Sequence, residues 1–166
     1  FSNTRSKKSK KDDTTYYMFS GGIGIATTDS VLKADYATIQ FSIGFWKPSF
    51  VFPFSLNFLH SREISNSPNT SQTDIHLTTA LLIGGGNVFL FSTLGPGISF
   101  GTSRNEKDEN PKAPLRHFVS PSFMLEGELL YFPDGYIGFG IKGFYNYNTE
   151  RTLKSCMLSI RFFTPS

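Results

Sequence analysis

The stretch from Tyr136 to Asn148 reads YIGFGIKGFYNYN and alternates over most of its length between two kinds of residue. Its odd-numbered apolar positions are Ile137, Phe139, Ile141, Tyr145 and Tyr147, whereas its even-numbered small or polar positions are Gly138, Gly140, Lys142, Asn146 and Asn148. Because successive side chains of a β-strand point to opposite faces, this alternation predicts a strand between an apolar and a polar environment.

The same alternation recurs in seven other segments, which makes the predicted fold all-β. They cover approximately 15–27, 36–46, 50–61, 74–84, 87–103, 118–131 and 152–163. Aromatic and aliphatic residues alternate in each of them with glycine, serine, threonine or an occasional charged residue. The sequence therefore predicts eight strands that share one apolar and one polar face.

The connections between these segments alternate in length. Lys47-Pro48, Gly85-Gly86 and the stretch from Pro133 to Gly135 are tight turns, whereas 29–35, 62–73 and 104–117 are longer and polar. Short turns at one end and long loops at the other are typical of antiparallel up-and-down barrels that span a membrane. We expect an eight-stranded transmembrane β-barrel with both chain ends on the short-turn side.

Volume and polarity indicate which face points outward. Many of the 18 phenylalanines lie on the apolar face, and an eight-stranded barrel has too narrow an interior to hold them. In water, the same face would form an apolar patch far larger than soluble monomers tolerate. We therefore expect the apolar face to contact lipid and small residues to fill the lumen, with a soluble lipocalin-like binder as an alternative.

Charged residues on the polar face predict a network inside the barrel. A three-residue turn at Pro133–Gly135 would pair Glu126 with Lys142, and Gly84 would pair with Asn87 across Gly85-Gly86. The last hairpin would place Arg161 beside Gly140, which in turn lies beside Glu128. The predicted lumen network comprises Glu126, Glu128, Lys142, Arg161 and His76, the last as a hydrogen-bond donor. Buried charges persist only when paired, so Glu126→Ala should destabilise the protein more than Glu106→Ala.

The first thirteen residues differ in composition from the rest. They carry five cations, Arg5, Lys7, Lys8, Lys10 and Lys11, and no apolar segment typical of a signal peptide. We expect a periplasmic tail over 1–13 and the barrel over 14–166. The tail is either a solvated arm or a contact for lipid head groups or a partner protein, and no nucleic-acid-binding fold follows it.

The eight segments, the turn pattern and the aromatic-rich last strand resemble the small OmpA/OmpX-type outer-membrane barrels. The resemblance covers about 15–163 and implies the outer membrane of a Gram-negative-type bacterium, with periplasmic termini. Such barrels usually end on an aromatic residue, whereas Phe163 is followed here by Thr164, Pro165 and Ser166. The terminal insertion signal of the family is therefore altered.

Two histidine-containing groups at the long-loop rim are the candidate catalytic residues. His60, Ser61 and Glu63 form one group, and His117, Ser120 and Ser122 form the other. A Ser/His/Glu set at this rim would resemble a lipid A deacylase, which makes a rim-active lipid hydrolase the alternative function. His76 has no second ligand spaced for a metal, and Cys156 is the single cysteine, so we expect no metal and no cofactor.

The preferred function is structural. Trp46, Tyr131 and Tyr136 cluster at the short-turn end, where an interfacial aromatic belt is expected. A lumen filled by paired charges does not conduct solutes, so the sequence predicts a non-enzymatic barrel acting as a structural or accessory subunit. Its expected partners are outer-membrane lipids and other outer-membrane or periplasmic proteins.

Overall fold

The computed structural model describes residues 14–28, 34–47, 52–65, 69–104 and 114–165. Their regular elements are β1 Tyr16–Thr28, β2 Asp35–Trp46, β3 Phe54–Glu63, β4 Ser71–Gly85, β5 Val88–Ser103, β6 Arg116–Tyr131, β7 Ile137–Asn148 and β8 Thr152–Pro165. Within these ranges, no helix has the length and apolar character needed to cross a bilayer. The five basic tail residues and Glu106 lie outside the described residues.

The eight strands form one closed barrel in chain order, with every neighbouring pair antiparallel. The stagger of the barrel is found by following paired residues from Ile25 on β1 to the neighbouring strands. Through β2, β3 and β4 the row reaches β5 at Thr102, and through β8, β7 and β6 it reaches β5 at Ser92, an offset of ten residues (102 − 92). An offset of about 33 Å over a circuit of about 38 Å tilts the strands by roughly 40°. The predicted fold class is confirmed.

The apolar face is the exterior of the barrel. Residues such as Ile23, Leu77, Val119 and Leu158 are more than 60% exposed, and similar side chains surround them on all eight strands. Closure also pairs both sheet edges, as a hydrocarbon environment requires. A soluble calyx needs the opposite polarity, so the lipocalin-like alternative does not fit this barrel.

The lumen contains larger side chains than the expected small ones. One buried apolar cluster lies toward the long loops and includes Tyr36, Leu59 and Phe144. A second, toward the short turns, includes Phe91 and Phe132. Small residues occupy only part of the interior because the tilted strands leave room for bulky side chains above and below the polar centre.

The three predicted hairpin registers are each wrong by two residues, although the faces are right. Gly84 pairs with Phe89 instead of Asn87, and Lys142 pairs with Glu128 instead of Glu126. Arg161 pairs with Gly138 instead of Gly140. A shift of two preserves the face of every side chain, because strands repeat with period 2.

The turns account for the first two of these shifts. The β4–β5 turn uses Gly86 and Asn87, with Gly86 at φ 62°, so the strands continue one residue further than expected on the β4 side. The β6–β7 connection spans 132–136. Phe132 keeps the inward orientation of the even positions of β6, is only 4% exposed and packs in the turn-side cluster. Gly135, at φ 81°, supplies the left-handed residue there.

Trp46 does not belong to the predicted aromatic belt. It points to the lumen side of β2, packs against the turn-side cluster and has its ring centroid 5.6 Å from that of Tyr16. Tyr131 and Tyr136 are exposed on the exterior, as the belt requires. The reason is parity: Trp46 is even-numbered on a strand whose even positions face inward.

Asp134 caps the start of β7, and its variants should reveal this at neutral pH. Its Oδ1 accepts hydrogen bonds from the backbone N–H of Ile137 (2.9 Å) and of Tyr136 (3.0 Å), which lower the pKa of Asp134. A lowered carboxyl pKa contributes stability above the unfolded value that is lost as pH falls through the folded value. Asp134→Ala should therefore lower the urea midpoint at pH ~7, and the difference from wild type should shrink toward pH ~3.

Asp134→Asn is the matched control, since its amide oxygen still accepts both hydrogen bonds but does not titrate. If Asp134→Ala lowered the urea midpoint by the same amount at both pH values, the ionised carboxylate would not be the stabilising cap.

Candidate functional site

Four charged side chains meet at the centre of the lumen. Lys142 Nζ on β7 lies 3.5 Å from Glu126 Oε1 and 3.7 Å from Glu128 Oε1, both on β6. On β8, Arg161 forms an ion pair with Glu128 through its guanidinium. All four side chains are at most 6% exposed. The two acids and two cations cancel, which is the condition for charges to persist in a buried site.

The strand register places these groups. Glu128 and Lys142 are directly paired on neighbouring strands, so their side chains meet on the inner face. Between Lys142 and the turn, the inward positions of β7 are Gly138 and Gly140, and Arg161 reaches across β7 to Glu128. Its guanidinium also lies 4.4 Å from the centroid of the Phe91 ring, a cation–π contact.

Uncharged polar groups continue this cluster to the opposite wall. Gln40 Nε2 on β2 donates to Glu126 Oε2 at 2.7 Å and lies 3.4 Å from Asn57 Oδ1. Asn57 in turn donates to Thr78 Oγ1 at 2.6 Å. The charged centre is therefore connected by hydrogen bonds to β2, β3 and β4 and spans the lumen.

His76 belongs to a second buried group nearer the long loops. Its Nε2 is 3.0 Å from Ser122 Oγ on β6, and its side chain is completely buried. On the same strand, Asp74 accepts hydrogen bonds from Gln72 Nε2 (2.8 Å) and from Ser99. The predicted donor role of His76 depends on its tautomer.

A third group closes the long-loop end. Arg104 Nη1 lies 2.9 and 2.8 Å from the two carboxylate oxygens of Glu63, a completely buried residue. Arg151 donates to Tyr36 Oη at 2.7 Å and to the Thr102 carbonyl, and stacks on the Tyr36 ring. Three successive polar groups thus occupy the lumen from its centre to its long-loop mouth.

Sequence reasoning identified five ionisable members of these groups and missed four others. Asp74, Glu63, Arg104 and Arg151 were not predicted as lumen residues. The alternation of the strands could have predicted Asp74 and Glu63 as lumen residues, since each lies at an inward position of its strand. Arg104 and Arg151 lie outside the strands, where alternation makes no prediction.

The structure does not assemble either candidate catalytic group. His60 points outward and contacts Thr73 Oγ1 through Nδ1 (2.8 Å), whereas Ser61 is buried and lies 3.3 Å from Thr38 Oγ1. His117 is likewise exposed, while Ser120 and Ser122 point into the lumen. Neighbouring strand positions face opposite sides, so neither histidine can activate these serines.

A metal centre also lacks a ligand set in the described part of the chain. No three histidine, cysteine, aspartate or glutamate side chains are grouped there as a metal ion requires. Cys156 is exposed on the exterior of β8, away from the buried histidine.

No protein-family profile matches the sequence, and no curated protein does either. Solved structures do. Neisserial surface protein A matches with a TM-score of 0.69 and 11% identity, over 89% of this chain and 96% of that one. The attachment invasion locus protein Ail of Yersinia pestis matches with a TM-score of 0.60 and 10% identity, over 92% of this chain and 99% of that one.

This chain has the fold of the small OmpA/OmpX-type outer-membrane barrels. The outer membrane enzyme PagL shares that fold too, with a TM-score of 0.54 and 11% identity over 87% of this chain and 98% of that one. At such low sequence identities, the similarity to OmpA/OmpX-type barrels extends to the backbone fold only, and this fold occurs both in an enzyme and in surface proteins. The fold therefore leaves the function open, and the lumen and the exterior of the barrel carry the remaining information.

Proposed function

We propose that this protein is an integral outer-membrane β-barrel with no enzymatic activity that serves as a structural or accessory subunit of a larger outer-membrane assembly. The observation that carries the proposal is the combination of an apolar exterior with a lumen filled by three polar groups. The exterior suits lipid, and the filled lumen is unsuited to a transport pathway. The remaining surfaces for function are the loops, the tail and the lipid-facing wall.

The filled lumen should keep the protein electrically silent. In planar bilayers, the wild-type barrel is expected to show no large stable conductance, because Glu126, Glu128, Lys142 and Arg161 occupy its centre. Single-channel recording at neutral pH measures this directly. Large stable openings of a folded, heat-modifiable barrel would contradict a plugged lumen.

The subunit role is tested by copurification from gently solubilised membranes. We expect native gel electrophoresis to resolve the protein in a complex heavier than the monomer, with defined outer-membrane or periplasmic proteins cross-linked to it. The basic residues Arg5, Lys7, Lys8, Lys10 and Lys11 are the proposed contact to lipid head groups or to such a partner. A purely monomeric protein without cross-linked neighbours would overturn the accessory role and leave the membrane barrel in place.

The hydrolase alternative requires its own test, because a shared fold with an enzyme carries no residue assignment. Mass spectrometry of lipid A from cells that express the wild type, His60→Ala or His117→Ala should give the same acylation pattern as cells without the protein. Loss of an acyl chain with the wild type, restored by either variant, would make the barrel an enzyme.

A further inference from the structure

A long groove runs along the exterior of β1, between β2 and β8. It consists of two open hollows with volumes of about 390 Å³ and 810 Å³. Both are lined by Ile23, Ile39 and Leu158, so they are continuous. The groove follows β1 over the five residues from Gly21 to Ile25, roughly 13 Å of strand.

Small outward residues create this groove. Gly21, Ala37 and Cys156 line it, whereas aromatic and branched side chains project from most of the surrounding exterior. A Cβ added to Gly21 would come no closer than 4.0 Å to any neighbouring atom, so the space beside it is open. A chain of methylene width can therefore lie against the sheet here, flanked by apolar side chains.

The long-loop end of the groove is polar and positively charged. His60 and Arg62 line the larger hollow and are exposed on the outer face of β3. The outward residue before them is Phe58, and their paired neighbours on β4 are Thr73 and Ser71. This change from apolar to polar side chains indicates the level at which hydrocarbon gives way to lipid head groups.

Arg62 has no carboxylate partner within the described residues. Its planar guanidinium matches phosphate oxygens in a bidentate arrangement. His60 uses Nδ1 for Thr73, so Nε2 remains available for a second contact with the same group. An apolar groove that ends at a cation has the polarity of a single amphiphile with a long acyl chain and an anionic head.

We propose that this groove binds one phospholipid with a net negative head group, with an acyl chain along β1 and the phosphate on Arg62 and His60. The site rests on the proposed function, since only a barrel embedded in a membrane presents this face to lipid. A protein segment is a less suitable occupant because the cation lies at the head-group level, where each membrane lipid already supplies a negative phosphate.

Spin-labelled lipids in phosphatidylcholine vesicles test the charged end. The wild-type barrel should bind labelled phosphatidylglycerol with about five-fold higher affinity than labelled phosphatidylcholine, measured as the ratio of the immobilised spectral components. This is the factor expected from one cation near an anionic head group. Arg62→Gln should reduce this ratio to about one. The matched control is Arg116→Gln, which removes an exposed arginine paired with Glu150 and should leave the ratio unchanged.

Filling the groove tests the acyl-chain site. Gly21→Leu should lower the amount of both lipids immobilised at this position, whereas Gly127→Leu adds the same side chain to open space on the exterior of β6 and should have no effect. Both variants keep every charge of the protein.

Different failures have different meanings. An inserted wild-type barrel without lipid preference, or an equal loss in Arg62→Gln and Arg116→Gln, overturns the lipid site alone. Efficient disulfide cross-linking of two inserted copies through Cys156 would assign the groove to a second copy and overturn it as well. A wild-type protein that stays in water as a folded monomer overturns both the site and the proposed function.

Discussion

Glu128→Ala is expected to lower the free energy of unfolding by about 3–5 kcal/mol, because it removes one partner from a buried ionic cluster. Glu128 pairs with Arg161 and lies 3.7 Å from Lys142 Nζ. Its loss leaves two cations in the lumen with Glu126 as their remaining acid. Urea unfolding in phospholipid vesicles, followed by tryptophan fluorescence and heat-modifiable migration, measures the change.

Glu150→Ala is the matched control, since Glu150 is 19% exposed and pairs with Arg116, whose side chain is 56% exposed, at the rim of the barrel. Exposed pairs contribute about 0–1 kcal/mol, so the control should unfold close to wild type. Glu126→Ala should fall between the two because Lys142 retains Glu128. Equal unfolding midpoints for Glu128→Ala and Glu150→Ala would contradict a structural role for the cluster.

Leu125→Arg should destabilise the vesicle-inserted barrel by about 2–4 kcal/mol, because it places a charge on the lipid-facing wall near mid-membrane. Leu125 is 48% exposed on β6, and its paired neighbours are Leu94 and Tyr145, both on the apolar exterior. Unfolding in vesicles compared with wild type gives the value.

His117→Arg provides the control on the same strand and the same face, close to the long-loop end. A charge near the interface costs about 0–1 kcal/mol, so this variant should unfold much like wild type. Equal destabilisation by the two arginines would contradict the prediction that Leu125 lies deep in the bilayer and His117 near its surface.

Side-chain alternation predicts faces well and pairings poorly in this protein. Lys142, Glu128 and Arg161 point inward as their parity requires, because a strand offers only two orientations. Which inward residue meets which depends on turn geometry. The β6–β7 turn is centred one residue later than expected, which places Lys142 opposite Glu128.

The rest of the lumen depends on contacts between residues far apart in the chain. Arg151 reaches Tyr36, 115 positions away, and Gln40 reaches Glu126, 86 positions away. Such contacts follow from the closure and stagger of the whole barrel, which no local pattern contains. The exterior groove is hidden for the same reason, since Ala37 and Cys156 flank Ile25 only when β8 meets β1.

The position of the charged cluster within the chain bears on how the barrel enters a membrane. Its four members lie on β6, β7 and β8, which are consecutive in sequence. The carboxyl-terminal three strands can therefore pair their two acids with their two bases while the seam between β8 and β1 is still open. The four clustered charges can then cross the hydrocarbon layer already balanced, and closing the barrel adds backbone hydrogen bonds at the seam and side-chain contacts such as Gln40 to Glu126.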